Sequence, residues 1–185
     1  ANSVMLNWSS RPEARPTYLD ALRDLTMLDR NLLLVQNSDH RGFGDRKSIH
    51  VWWGGLKGNG GLMLLLSHLL TGHRTWRQAQ ITVITVVGSL EAAKPALENL
   101  ERIIGNARIA AVPRVLVSDG RSILKIMESE SGGADLVILG IRLPQEPVTP
   151  DVIDPWFDRL DSMLAVLPTT ILLRSARISG RSRLD

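Results

Sequence analysis

The chain has 185 residues, of which 44% are hydrophobic and 22% are charged, and its formal net charge is +3. This length suits one domain with a buried core, and the composition excludes a disordered chain or a coiled coil. Cysteine is absent, which excludes disulfides, thiolate metal sites and a cysteine nucleophile. The net charge is too small to indicate a nucleic-acid partner, and we expect none.

Two further absences concern membranes and export. The longest apolar run, 62–70, is interrupted by Ser67 and His68 and is much shorter than the ~20 residues that span a bilayer. The first fifteen residues contain no continuous apolar core, so no signal peptide is expected.

The first part of the chain predicts a lead-in, a helix and a strand. Residues 1–16 contain an isolated Trp8 and no periodicity, which predicts an irregular lead-in. Apolar residues recur at spacings of three and four over 17–29, which predicts a helix with Thr17 as its N-cap. The apolar run Asn31–Gln36 predicts a buried strand, and a polar loop follows over 37–47.

The next stretch predicts a strand over 48–53, a glycine-rich turn and a helix over 62–70. Trp52 and Trp53 are adjacent, and neighbouring strand residues point to opposite faces of a sheet. Burial of both tryptophans therefore predicts a central strand that is covered on each side.

The remaining chain alternates between strands and helices. Strands are predicted over 80–87, 112–117, 135–140 and 169–173, and helices over 89–104, 119–130 and, after a proline-rich loop at 144–155, over 156–167. This alternation predicts an α/β fold with a mostly parallel, open, doubly wound sheet and helices on both faces. The loop at 37–47 is too short for an ordinary parallel crossover, so the strands it joins are antiparallel or linked by an unusual crossover.

The glycine-rich turn at 54–61 lies where a phosphate can be held by backbone N–H groups at a helix N-terminus. However, Lys57 precedes Gly58 and Asn59, whereas a Walker A loop needs lysine after its final glycine. No frame of the turn has the glycine spacing of a dinucleotide fingerprint. We therefore interpret the glycines as serving a tight turn and close helix packing.

A second nucleotide site is conceivable after Gly140, at the end of a strand. The order of strands and helices is similar to that of universal stress proteins, which carry a glycine-rich phosphate loop after the equivalent strand. Here Arg142 could contact a phosphate, but residues 141–147 contain no glycine to wrap it.

No catalytic set is evident. The histidines His40, His50, His68 and His73 lack metal-ligand spacing. The aspartate pairs Asp24 and Asp29, Asp151 and Asp154, and Asp158 and Asp161 are interpreted as exposed helix faces or caps rather than as an acid and its base. We predict that the chain is not an enzyme and that it has no cofactor and no metal.

The central stretch also resembles a known family. Its motif consists of Val51, Trp52, Trp53, Gly60, Gly61 and Leu62. This motif and the segments around it, over 28–174, resemble the cytosolic C-terminal domain of cation-chloride cotransporters of the prokaryotic, amino acid permease-related type. The sequence departs from the family where His50 replaces the usual aspartate and where 56–59 lengthens the turn.

The resemblance implies a regulatory domain on the cytoplasmic side of the plasma membrane, belonging to a transporter that moves chloride together with sodium or potassium. Its implied partners are its own transmembrane domain, which contains the ion pathway, and a second copy in a homodimer. Some family members also bind adenine nucleotides in this domain. The alternative hypothesis is a free-standing, ATP-binding protein of the universal stress type.

The domain organisation follows from these patterns. We predict a lead-in over 1–16, an α/β domain over 17–174 and a basic polar tail over 175–185. Arg174, Arg177, Arg181 and Arg183 lie in or beside this tail. A solvated tail is the main interpretation, and weak contact with anionic lipid is a further hypothesis.

Overall fold

The computed structural model describes residues 2–54, 58–145 and 149–176. Within these ranges the strands are β1 Ser3–Asn7, β2 Asn31–Gln36, β3 Ser48–Trp52, β4 Gln80–Val87, β5 Ala111–Val117, β6 Leu136–Gly140 and β7 Thr170–Arg174. The α-helices are α1 Arg15–Met27, α2 Gly60–Gly72, α3 Ala93–Ala107, α4 Ile123–Ser131 and α5 Pro150–Leu164, and a 3-10 turn at Pro12–Ala14 leads into α1.

The strands form one sheet in the order β1-β2-β7-β6-β3-β4-β5. Only β2 and β7 pair antiparallel among the described strands, and the other neighbours are parallel. Alternate residues of β2 enter separate cores, since Leu32 and Leu34 pack with α1, α4 and α5 while Leu33 packs with α2 and α3. The predicted α/β fold, with a mostly parallel sheet and helices on both faces, is confirmed.

The prediction of an irregular lead-in over 1–16 is wrong, because this segment contains strand β1. Its five residues pair in parallel with β2, and their side chains alternate between exposed and half-buried. Trp8 follows β1 and packs against Trp156 and Phe157, at 5.8 and 5.3 Å between ring centroids. An edge strand this short is stabilised by its neighbours rather than by its own propensity, which explains why it was missed.

The predicted starts of the five described helices need correction, since α2, α3 and α4 begin at Gly60, Ala93 and Ile123 instead of at residues 62, 89 and 119. Helix α1 begins at Arg15, so Thr17 lies inside it and Ala14 occupies the N-cap. Helix α5 begins at Pro150 instead of at Trp156. Proline suits the first position of a helix, where its missing N–H has no intrahelical partner, whereas Pro155 removes one N–H from the interior. Pro150 and Pro155, two of the prolines that predicted a loop, therefore lie within the helix, whereas Pro144 lies in a loop before it.

The loop at 37–47 runs along the amino ends of β7 and β6 to reach β3. Strand β2 runs antiparallel to β3, which is one of the two predicted alternatives. The two strands are not neighbours, however, because β7 and β6 lie between them. The loop is held by Thr169, just before β7, whose hydroxyl accepts from the backbone N–H of Ser38 at 3.0 Å and also contacts the carbonyl of Gly42. It is also held by Asp135, just before β6.

Asp135 is the main anchor of this edge of the sheet, with only 3% of its surface exposed. Its carboxylate accepts hydrogen bonds from the backbone N–H groups of Asp45, Lys47 and Ser48 and from the Ser48 hydroxyl, at 2.8–3.1 Å. Arg41 adds an ion pair at 3.2 Å. A buried carboxylate is stabilised by this many donors because together they replace its lost hydration.

Strand β3 lies between β6 and β4 and is covered on both faces, as predicted. Trp52 packs into the core beneath α4 and α5, whereas Trp53 packs against the core beneath α2 and α3. Gly60, the first residue of α2, lies against the Trp53 indole so closely that a Cβ would overlap the ring. A Cβ added to Gly61 would meet no atom within 4 Å. Gly60 rather than Gly61 therefore permits the close approach of helix and strand.

We predict that Asp135→Ala lowers the free energy of unfolding by about 2 to 4 kcal/mol, because several buried donors lose their acceptor. Urea denaturation measures the effect. Asp45→Ala is the matched control, since that exposed side chain only approaches Lys47, at 3.9 Å, and it should change stability by less than about 0.5 kcal/mol.

The stability that Asp135 contributes to the fold should depend on pH. Burial alone raises the pKa of Asp135, but its hydrogen bonds with Lys47, Ser48 and Asp45 outweigh burial, so the pKa lies below the usual 3.8. A carboxyl with a depressed folded-state pKa stabilises the fold above its unfolded pKa and loses that contribution as pH falls through the folded value. The stability difference between wild type and Asp135→Ala should thus be full at neutral pH and shrink below about pH 4. A difference that is independent of pH would contradict this role.

We further predict that Gly60→Ala destabilises the protein by about 1 to 3 kcal/mol, because the added methyl group overlaps Trp53. Gly61→Ala is the paired control. It should be neutral or stabilising by up to about 1 kcal/mol, since alanine is a better helix former than glycine. Equal losses at both positions, measured by thermal and urea unfolding, would show that helix packing is not what requires glycine here.

Candidate functional site

A cavity of about 500 Å³ opens at the carboxyl ends of β3, β4 and β6. The chain proceeds from β3 to β4 and β5 on one side of this point, and from β6 to β7 on the other. Such a switch in strand order leaves a crevice where doubly wound α/β proteins bind ligands. The cavity is lined by Trp52, Trp53, Gly54, Asn59, Gly60, Met63, Thr85, Val86, Ile123, Met127, Leu139, Gly140, Ile141, Leu160 and Met163.

The described lining of this cavity is apolar and uncharged. Its polar side chains already have partners, since the Thr85 hydroxyl donates to the Trp53 carbonyl at 2.9 Å and the Trp52 indole N–H donates to the Ser131 hydroxyl at 3.0 Å. The cavity therefore suits the flat or apolar part of a ligand better than it suits phosphate groups, which need cationic or N–H donors.

Asn59 closes one side of this cavity and has only 7% of its surface exposed. Its amide N–H donates to the carbonyl of Ile141 after β6, and its amide oxygen accepts from the N–H of Ser175 after β7, both at 2.9 Å. One side chain thus ties the glycine-rich turn to the ends of two strands. The sequence pattern assigned Asn59 only to a turn, because its partners are 82 and 116 residues away.

A second cavity, of about 580 Å³, lies beyond Asn59 and Ile141, which line both spaces. Arg23, Arg142 and Arg174 contribute to its lining, so this side is basic. The described loop after β6, 141–145, forms no helix, and the Arg142 carbonyl accepts the indole N–H of Trp156 at 2.9 Å. Arg142 thus lies at a plausible anion position, although a glycine-rich phosphate loop does not surround it.

His50 lies on the same face of β3 as Trp52. Its Nδ1 is 2.8 Å from the hydroxyl of Ser131, which is fully buried. Burial lowers the pKa of His50, which favours the neutral form of the imidazole. No group of His, Asp and Glu that could hold a metal occurs within the described part of the chain.

Three of the aspartates noted in the sequence contact Arg15. Arg15 is 9% exposed and pairs with Asp154 at 2.9 Å, with Asp158 at 2.8 Å and more distantly with Asp161 at 3.5 Å. Asp161 also accepts the indole N–H of Trp8, at 2.9 Å. Asp154 and Asp158 lie on the exposed face of α5, as predicted, and these carboxylates also fasten the N-terminal segment to that helix.

The six residues of the family motif have different positions around the cavity. Trp52, Trp53 and Gly60 line it. Val51 is fully buried in the core beneath α2 and α3, Leu62 packs half-buried against the same core, and Gly61 is exposed. Residues 55–57 of the turn, with most of the predicted tail, lie outside the described residues. None of the described helices has the length and apolar character to cross a bilayer.

The fold is similar to those of two solved structures. The crystal structure of the cytoplasmic domain of a prokaryotic cation chloride cotransporter matches with a TM-score of 0.71 and 18% identity, over 94% of this chain and 64% of that one. A universal stress protein from Archaeoglobus fulgidus matches with a TM-score of 0.58 and 10% identity, over 95% of this chain and 61% of that one. The chain thus spans less than two thirds of the length of either protein.

The family is established at the level of sequence. A family model described as solute carrier family 12 matches residues 25–130, which is more than half of the chain and includes β2 through most of α4. This range contains the whole motif that suggested cation-chloride cotransporters, and the fold agrees with a solved cytoplasmic domain of such a transporter. The chain belongs to solute carrier family 12.

Proposed function

We propose that this chain is a non-enzymatic, cytosolic regulatory and dimerisation domain of a membrane transporter that moves chloride together with sodium or potassium. The family match over residues 25–130 carries the proposal. The fold of a cotransporter's cytoplasmic domain, found along nearly the whole chain, supports it. The ion pathway then belongs to a transmembrane domain of the same protein. This chain lies on the cytoplasmic side of the plasma membrane.

The side-chain chemistry is consistent with a role in binding rather than in catalysis. The buried charged groups, Asp135 and Arg15, are each neutralised by several partners that hold loops and the N-terminal segment in place. The cavity at the switch point offers apolar surface without a described acid or base. Regulation by such a domain would act through its contacts with other parts of the transporter.

Helix α2 supplies a surface suited to such contacts. Its thirteen residues include no Asp, Glu, Lys or Arg. Leu65 and Leu69 lie one turn apart on its outer side and are 49% and 62% exposed. An exposed apolar stripe without charges is costly to leave in water and suits a self-complementary contact across a two-fold axis. We assign this α2 stripe to the homodimer.

The double variant Leu65→Glu/Leu69→Glu should therefore dissociate the dimer, because burial of opposing carboxylates is unfavourable. Sedimentation velocity across a concentration series is the measurement. Met5→Glu/Leu90→Glu is the control, since these side chains are 63% and 75% exposed on other elements. If wild type is monomeric throughout, or if only the control dissociates, the assignment of the α2 stripe is wrong.

The transporter assignment has a direct genetic test. The coding sequence upstream of Ala1 should encode about a dozen apolar segments of ~20 residues each, the length that spans a bilayer. A reading frame that encodes only this α/β unit would contradict the assignment.

An ATP-binding function of the universal stress type is the alternative, and the paired cavities around Asn59 are the observation that favours it. An apolar space beside a basic one can accept a base and its phosphates. Calorimetric titration with ATP separates the hypotheses. Saturable micromolar binding of ATP that Arg142→Ala abolishes would favour the universal stress type. Absence of ATP binding would favour a purely structural role for the carboxyl edge of the sheet.

A further inference from the structure

Four basic side chains surround an open space at the amino-terminal edge of the sheet, opposite to the cavities described above. Arg46 and Lys47 precede β3, and Arg74 and Arg77 lie between α2 and β4. These four residues, which we call the basic edge, line a cavity of about 230 Å³ together with Asp45, Thr75 and Gln78. All four are exposed to solvent.

The base of the basic edge is rigid, because the two loops that carry it are joined. Strands β3 and β4 are parallel and in register, with Ser48 opposite Gln80, and the N–H of Gln80 donates to the Lys47 carbonyl at 2.8 Å. Trp76, which is 6% exposed, packs edge-to-face on Phe43 at 5.8 Å between centroids. The charges are thus presented on fixed loops rather than on a tail.

Little negative charge opposes these cations. The carboxylate of Asp45 lies 3.9 Å from the ammonium of Lys47, the limit of an ion pair. The other nearby acid, Asp135, is buried and already paired with Arg41. For the described part of the chain, the structure records no ion pair of Arg46, Arg74 or Arg77. The basic edge therefore carries excess positive charge that faces solvent.

We propose that the basic edge docks the domain on an anionic membrane surface. The space is polar, with four exposed cations and the neutral side chain of Gln78 around it, which suits the phosphate headgroups of an anionic surface. The choice of a membrane rests on the proposed function, which places the domain beside a bilayer. Each Lys or Arg near an anionic surface strengthens binding about fivefold.

The test is co-sedimentation of the full chain with vesicles of phosphatidylcholine alone and of phosphatidylcholine mixed with phosphatidylserine. The chain should bind only the phosphatidylserine vesicles, and binding should weaken as salt rises. Arg74→Glu/Arg77→Glu should reduce this binding at least tenfold. Both side chains are exposed, so circular dichroism and thermal unfolding should show an unchanged fold.

Two matched variants make the outcome specific. Lys94→Glu/Arg102→Glu makes the same change in net charge on the exposed surface of α3 and should retain most of the binding. Replacing Arg177, Arg181 and Arg183 with Gln tests the tail, and binding should also persist there. The proposal is overturned if wild type ignores phosphatidylserine, if the α3 variant loses as much binding, or if only the tail variant loses it.

Inorganic phosphate provides the last comparison. At equal ionic strength, phosphate and chloride buffers should give similar vesicle binding, since a membrane surface engages several cations together. Strong competition by phosphate alone would replace membrane docking with a small-anion site. Because the assay needs neither ion transport nor a dimer, its failure would leave the transporter assignment untouched.

Discussion

The burial of β3 on both faces is the constraint on which the rest of the structure depends. Trp52 and Trp53 are neighbours in sequence and enter opposite cores, so each face of the sheet needs its own helix layer. The first layer comes from α1, α4 and α5, and the second from α2 and α3. Helix α2 can begin close to this strand only because Gly60 leaves room for the Trp53 ring. We therefore propose that the family motif is primarily a packing motif.

Buried polar groups then determine the two edges of the sheet. Asp135 gathers the loop at the amino edge, and Asn59 gathers the glycine-rich turn and the ends of β6 and β7 at the carboxyl edge. Each makes several hydrogen bonds in a dry environment, where an unmatched donor or acceptor is costly. The edges are consequently firm platforms: the amino edge is basic and exposed, and the carboxyl edge has an apolar cavity beside a basic one. Such distinct surfaces suit the proposed regulatory role, since a regulatory domain acts through its contacts.

The sequence predicted the elements that are stabilised locally and missed those that depend on distant partners. Strands β2 and β4 match their predicted bounds because their runs of branched and leucine side chains suit buried strands. Strand β1 was missed because it depends on pairing with β2, and the start of α5 was missed because Pro150 and Pro155 also favour loops. The motif residues were identified, but Asn59 and the partners of Arg15 are separated from their contacts by more than eighty residues. Nor does sequence distinguish Gly60 from Gly61, which differ only in what surrounds them.

We propose that this domain serves a chloride cotransporter. The most direct test of this proposal is radioactive chloride uptake into proteoliposomes that contain the full-length protein, with sodium, potassium or neither on the outside. The account predicts uptake that requires one of these cations and a changed rate, with the same cation dependence, when the α2 stripe is altered by Leu65→Glu/Leu69→Glu. Absence of cation-dependent chloride uptake by the intact full-length protein would contradict the account.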